Sequence, residues 1–162
     1  MSDDKQSALF VCLGNICRSP MAEAIFGDTL EKRGIRDKWH VDSAAVVGYH
    51  TGKNPYSKTM STLAKNGITN YSHKARVVSS GDFKKFDHIF GMDADNMSDL
   101  RDLKRLAGAE SKAKLYCLAD FDPKKEIYQI VDPYYDSTGQ LFDQIFPEIT
   151  RCLEAFLDSL EK

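Results

Sequence analysis

The chain has 162 residues, 42% of them hydrophobic and 28% charged, enough apolar material for one compact domain with its own core. Its 22 basic and 24 acidic side chains leave a net charge of −2, which supplies no electrostatic attraction for nucleic acid or an anionic membrane. The start, Met1 to Gln6, is polar and lacks the basic and apolar regions of a signal peptide, and the longest apolar run, Ala8 to Leu13, is too short to span a membrane. With that context, Cys12, Cys17, Cys117 and Cys152 read as reduced thiols of a cytoplasmic protein rather than a disulfide framework.

No repeat, low-complexity tract or linker divides the chain, and strand-like and helix-like segments alternate. That alternation predicts a single α/β domain over residues 1–162 with a parallel sheet. The first strand is expected at about Ser7 to Val11. A helix follows from about Pro20 to Arg33, with Met21, Ala22, Ile25, Phe26 and Leu30 on one face. Ser19-Pro20 suits its start, since proline at the first helical position needs no N–H partner, and Gly34 suits its end. A second strand fits Trp39 to Ala45, and a helix fits Ser57 to Asn66. A third strand fits Asp87 to Met92, with a helix from Asp93 to about Leu106. A fourth strand fits Ala113 to Leu118. The closing helix carries Phe142, Ile145, Phe146, Ile149, Leu153, Phe156, Leu157 and Leu160, and Pro147 within it predicts a kink or a late start. Cys12, Ser43 and Asp93 fall at or just past strand ends, the edge where ligands bind in such sheets.

The run Cys12-Leu13-Gly14-Asn15-Ile16-Cys17-Arg18-Ser19-Pro20 joins the first strand to the first helix. Successive backbone N–H groups in a curled loop, with a helix N-terminus behind them, bind anions. Gly14 and Asn15 tolerate the left-handed conformations that such a loop needs. Arg18 adds a planar fork that matches two phosphate oxygens. The same positive field is expected to favour the thiolate of Cys12, which could then attack phosphorus. Cys-x5-Arg alone is a weak motif. Only Cys12 of the four cysteines has arginine six positions on; the others lead to Glu23, Pro123 and Asp158. The plain alternative is a buried cysteine and a surface arginine, but the strand before, Gly-Asn within and helix after favour a site. Ser19 has two readings, as the N-cap of the helix and as a donor to the Cys12 sulfur. Phosphoester cleavage also needs a proton for the leaving oxygen. Asp132, in Val131-Asp132-Pro133-Tyr134-Tyr135-Asp136, is the best source, and Tyr134 and Tyr135 could wall a slot for an aromatic ring. Taken alone, the segment reads as an ordinary Asp-Pro turn.

Together these residues resemble the low-molecular-weight protein tyrosine phosphatases, and the eukaryotic branch best. The phosphate loop from Phe10 to Pro20, the second-strand run Val41-Asp42-Ser43-Ala44-Ala45, Ser72-His73, Met92-Asp93 and Asp132-Pro133-Tyr134-Tyr135 carry the resemblance, which extends over essentially the whole chain. It implies a three-layer, doubly wound, flavodoxin-like sheet of four parallel strands, a monomer, and no metal or other cofactor. It implies hydrolysis of phosphotyrosine proteins or peptides, and of small aryl phosphates, with release of inorganic phosphate. Cys12 would be the nucleophile, Arg18 the phosphate clamp, Asp132 the acid and then the base, and Ser19 the stabiliser of the thiolate. Leu13, Gly14, Asn15, Ile16 and Cys17 would form the phosphate-binding loop, held in shape by Asn15, Ser43 and His73, with Asp93 positioning it. Without the resemblance, His73 reads as a polar loop residue, Asp93 as a bare N-cap and Cys17 as a packing residue. With it, Cys17 becomes the partner of Cys12 in a reversible disulfide under peroxide. Leu13 and Ile16 are expected to protrude at the rim with Tyr49, His50 and Asn54, and Tyr134 and Tyr135 resemble positions that kinases phosphorylate. Lys53-Asn54-Pro55-Tyr56 matches no pattern.

Two other classes compete. An arsenate reductase on the same fold would need relay cysteines, and none lies between Cys17 and Cys117. A phosphate-binding or redox-sensing module without catalysis would have no use for Cys12, Arg18 and Asp132 together.

Overall fold

The computed structural model describes residues 5–161. Four parallel strands, β1 (Gln6–Cys12), β2 (Trp39–Ala45), β3 (His88–Gly91) and β4 (Lys114–Cys117), form one sheet in the order β2-β1-β3-β4. This is an α/β fold, with the order stepping left and then right from β1 as a doubly wound sheet does. The helices are α1 (Arg18–Lys32), α2 (Ser57–Lys65), α3 (Asp82–Lys85), α4 (Ala94–Ala107) and α5 (Gln140–Leu160).

Strand alternation sorts β1 onto two cores. Ala8, Phe10 and Cys12 face the larger one, with Phe26 of α1 and Ile149, Leu153 and Phe156 of α5. Leu9 and Val11 face the smaller one, with Ile89, Leu100 of α4 and Phe83 of α3. Phe10 stacks on Phe90 of the neighbouring strand at 5.1 Å, and Phe156 meets Phe90 edge-on at 4.9 Å. Burying each such ring is worth about 1.5–3 kcal/mol, so β1 is clamped from both sides. The last residue of that clamped strand is Cys12.

All of the longer elements lie within about two residues of their predicted bounds. Three short ones do not appear in the periodicity: α3 and two 3₁₀ turns, Arg36–Lys38 and Leu118–Phe121. Each is too short to show a repeat. The late start expected at Pro147 is also absent, because α5 begins at Gln140 and continues through it. Asp143 and Pro147 both lie on the exposed face of α5, so the carbonyl that Pro147 cannot serve is turned to solvent, while Phe142, Ile145 and Ile149 keep the buried stripe continuous.

Asp122 ties α5 to the loop after the second 3₁₀ turn. Its side chain is 1% exposed, meets Arg151 Nε at 2.8 Å, and accepts backbone N–H groups of Lys124, Glu126 and Ile127. Arg151, helped by those N–H groups, holds the carboxyl well below the usual carboxylate range. A carboxyl with a depressed folded pKa stabilises the fold above its unfolded pKa and loses that contribution as pH falls through the folded one. Asp122→Asn should therefore lower the unfolding temperature at neutral pH, with the deficit shrinking as acid protonates the parent. Thermal unfolding across that pH range checks it; a deficit independent of pH would exclude the charge as the cause.

Candidate active site

β1 ends at Cys12 in register with Ala45 of β2, and the chain curls through residues 13–17 before α1 begins at Arg18. Outside donors hold the curl. Val46 N–H donates to Cys12 O, Val47 N–H to Leu13 O and Tyr56 N–H to Ile16 O. Those three carbonyls are thus bonded to the segment after β2, whereas none of the backbone N–H groups of residues 13–17 donates to a protein acceptor among the described residues. Asn15 takes the left-handed conformation, φ 60°, as expected. Gly14 does not. Its glycine is needed for space, because a Cβ there would sit 2.9 Å from His50 Cδ2.

Two donors reach the Cys12 sulfur. Ser19 Oγ lies 3.0 Å away and Ser19 N–H donates at 3.4 Å. The N-cap reading of Ser19 is overturned, since α1 begins one residue earlier, with Cys17 at the cap and no side-chain capping bond. Within the first turn, the Ser19 hydroxyl accepts from Asn15 Nδ2 at 2.8 Å, which leaves its own hydrogen for the sulfur.

Arg18 is 2% exposed. Its Nη1 donates to Asp93 Oδ2 at 2.7 Å and Ile130 O at 2.9 Å, and Nη2 lies 3.7 Å from Asp132 Oδ2. Burial works against its charge, but Cys12, Asp93 and Asp132 outweigh that and hold the guanidinium above its ordinary range. Asp93 is the N-cap of α4, with Oδ1 accepting Asn96 N–H while Oδ2 accepts from Arg18. Asp132 sits in an Asp-Pro turn with one oxygen turned toward the cavity. Oδ1 accepts Tyr134 N–H, and Oδ2 faces Arg18.

These groups line a cavity of about 100 Å³ with Cys12 and Arg18 within it and Asp132, Tyr49, His50, Tyr134 and Tyr135 around it. Tyr134 is half-buried between Tyr56 and His50, whereas Tyr135 and Tyr49 are largely exposed. Leu13 protrudes as expected. Ile16 does not; it is 7% exposed and packs into the larger core. Asn54 lies outside the cavity lining and accepts from Lys74 Nζ. Cys17 is a free, buried thiol, pushed up to about 12 by burial and by the nearby Cys12 and Asp132.

Behind the loop, Asn15, Ser43 and His73 come together. Asn15 Nδ2 donates to Ser43 Oγ at 3.0 Å, and His73 Nε2 lies 2.9 Å from Asn15 Oδ1. Four residues of this cluster escape a reading of the sequence: Glu23, Asp42, Tyr71 and Arg76. Ser43 and Tyr71 hydroxyls both donate to Glu23 Oε1 at 2.7 Å, and Arg76 pairs with Asp42 and Asp82. Burial, with Asp42 adding to it, raises the Glu23 carboxyl to about 7, and burial lowers His73 although Asp42 opposes it. One signal for Glu23 is present in the sequence: it stands four residues after Ser19, one turn along the face of α1 that carries the site.

The family model described as low molecular weight phosphotyrosine protein phosphatase matches residues 7–162. Low molecular weight phosphotyrosine protein phosphatase 1 of Drosophila melanogaster is 44% identical over 94% of this chain and 95% of its own. A crystal structure of a protein tyrosine phosphatase from Entamoeba histolytica, with Hepes in its active site, is 33% identical with a TM-score of 0.89 over 97% of each chain. A second, described as a drosophila arginine phosphatase, is 35% identical with a TM-score of 0.90 over 96% of this chain and 98% of that one. A match over nearly the full length places the chain among the low molecular weight phosphotyrosine protein phosphatases, which are hydrolases.

Proposed function

We propose that the chain is a cysteine-dependent phosphatase that hydrolyses phosphotyrosine through a phosphocysteine intermediate. One observation carries the reading: Ser19 aims both its hydroxyl and its N–H at the Cys12 sulfur, at the floor of a loop whose N–H groups have no acceptor among the described residues, with Asp132 across the cavity beside Arg18. The phosphoryl oxygens occupy the loop N–H groups and the Arg18 fork. The Cys12 thiolate attacks phosphorus in line, a sulfur–phosphorus bond forms, and the bond to the phenolic oxygen breaks. Asp132 gives that oxygen its proton. The carboxylate then takes a proton from water, whose oxygen displaces Cys12 and releases inorganic phosphate. Ser19 stabilises the departing thiolate. Leu13, Gly14, Asn15, Ile16 and Cys17 form the loop, Ser43, His73 and Asp93 hold its shape, and Tyr49, Tyr134 and Tyr135 flank the substrate ring.

On this reading the chain is a single phosphatase domain that works as a monomer on phosphotyrosine proteins in the cytoplasm, with no need of nucleic acid, a membrane or a cofactor. No helix of the described residues is long and apolar enough to cross a membrane. Under peroxide, Cys12 and Cys17 close to a disulfide as peroxide is reduced to water, which protects Cys12 from further oxidation.

The decisive experiment is a rapid-quench assay with a phosphotyrosine peptide and trapping of the phosphoenzyme. A burst of phenol equal to the enzyme concentration, with phosphate on Cys12, is expected. The arginine phosphatase neighbour motivates a parallel phosphoarginine peptide. Three tyrosines at the mouth favour a flat aromatic ring, so phosphotyrosine should give the larger kcat/KM. The reverse ratio would reassign the substrate, and absence of a phosphoenzyme with either would remove the mechanism.

A further inference from the structure

The two halves of the site arrive on different parts of the chain. Cys12 and Arg18 come with β1 and α1, whereas Asp132 comes on the segment that precedes α5. The Asp132 side chain is only loosely tied to the other half, since Oδ1 accepts Tyr134 N–H and Oδ2 stays 3.7 Å from Arg18. Its place is therefore set by the backbone around it. Residues 131–135 make no hydrogen bond to another part of the protein among the described residues; Tyr134 N–H to Asp132 and Asp136 N–H to Pro133 O are both internal to the turn. The anchors stand at its two ends. Ile130 N–H donates to Met92 O, and Ile130 O accepts from Arg18. At the far end, Asp136 O and Ser137 O accept from Lys58 Nζ at 3.2 and 3.4 Å. The Asp136 carboxylate is occupied elsewhere, by Thr138 and by Leu141 N–H at the start of α5.

Lys58 stands in the first turn of α2, and the same turn grips the phosphate loop. Tyr56 N–H, just ahead of the helix, donates to Ile16 O at 2.8 Å. The Thr59 hydroxyl, fully buried, donates to Cys17 O at 3.3 Å. The Tyr56 ring also packs on Tyr134 at 5.2 Å. Residues 56–59 thus touch the loop that carries the nucleophile on one side and the turn that carries the acid on the other. We propose that Lys58 is a positioning residue for Asp132: its ammonium, bound to two successive carbonyls, fixes the far end of the acid turn relative to Cys12, so that the carboxyl meets the leaving oxygen. The proposal rests on the reading of Asp132 as the proton donor. Lysine suits the task, because its rotatable head carries three donors and its long stem crosses from α2 to the turn. A bond from an ammonium to a carbonyl is charge-assisted and holds more firmly than a neutral one. Misplacing a catalytic group by about 1 Å costs on the order of 10²-fold in rate. Releasing one of two anchors lets the carboxyl wander without leaving the cavity, so a smaller loss, of about tenfold, is expected.

Lys58→Met keeps the apolar stem and removes the donors. Its burst with a phosphotyrosine peptide should slow about tenfold, while the burst with a nitrophenyl phosphate, whose leaving group needs no proton, should stay within about twofold of the parent. Phosphate affinity should not change. Lys58→Arg offers donors in the same place and should restore most of the peptide rate. In an Asp132→Asn background, Lys58→Met should cost nothing further with the peptide, because the group it positions is already gone. Amide hydrogen exchange reads the anchor without chemistry. Asp136 and Leu141 N–H should exchange faster in Lys58→Met, while Val46 and Val47 N–H, which hold the phosphate loop, keep their protection. Unchanged exchange at Asp136, an equal loss with both substrates, or a matching loss of phosphate affinity would each overturn the assignment. Asp132→Asn alone separates the two readings. If it slows both substrates equally, the acid itself is misassigned; if it spares the nitrophenyl substrate and Lys58→Met does not discriminate, the fault lies with Lys58.

Discussion

Cys12→Ser should reduce hydrolysis of a phosphotyrosine peptide by roughly 10⁴-fold or more while leaving the fold and phosphate affinity nearly intact. The reason lies in which parts of the site the substitution touches. Ser19 Oγ and N–H point at the sulfur, and a serine oxygen can take the same two contacts. Val46 and Val47 still hold the loop through backbone carbonyls that the side chain does not affect. Arg18 stays fixed by Asp93 and Ile130. What is lost is the sulfur nucleophile, since an alcohol is a far poorer nucleophile toward phosphorus near neutral pH. The variant should therefore bind the phosphotyrosine peptide by calorimetry, show no burst and yield no phosphoenzyme. Arg18→Ala makes the contrast. It removes the phosphate fork and leaves Asp93 without its cationic partner, so binding and turnover should fall together. Cys12→Ser protein that turns over at the parent rate would exclude a cysteine nucleophile.

The loop was legible in the sequence because its parts are local. A buried strand, a cysteine, Gly-Asn and a helix start lie within one short run, and an anion site of backbone N–H groups needs little else. Asp132 and His73 lie far from it along the chain, and their local signals, an Asp-Pro turn and a Ser-His pair, have ordinary explanations of their own. The errors share one origin. In a curled loop, side-chain direction follows no period, so nothing in the pattern of residues 13–17 says that Ile16 turns into the core while Leu13 turns out, or that Gly14 gives room to His50 rather than a left-handed turn. Glu23 escaped because an acid on a helix reads as a solvated residue. Only the approach of β2 and the segment after α2 buries it against Ser43, Tyr71 and His73.

Asp132→Asn should slow the reaction about 10²–10⁴-fold, and unevenly across substrates. Asparagine keeps an amide oxygen to accept Tyr134 N–H, so the turn survives and the loss is chemical rather than structural. It cannot give the leaving oxygen a proton. A phenol of ordinary acidity departs badly without that proton, whereas a strongly acidic nitrophenol departs unaided. Cleavage of the phosphotyrosine peptide should therefore fall far more than the burst with a nitrophenyl phosphate, steepening the dependence of rate on leaving-group pKa. The second half of the reaction adds a further signature. With no carboxylate to take a proton from water, the phosphocysteine should persist, and the nitrophenyl substrate should show a clear burst followed by slow turnover. Adding an alcohol that competes with water would leave that slow phase unaccelerated, because it too needs a base. An equal loss for both substrates would mean that Asp132 acts through Arg18, 3.7 Å away, as a positioning group, and the proton donor would have to be sought elsewhere in the cavity.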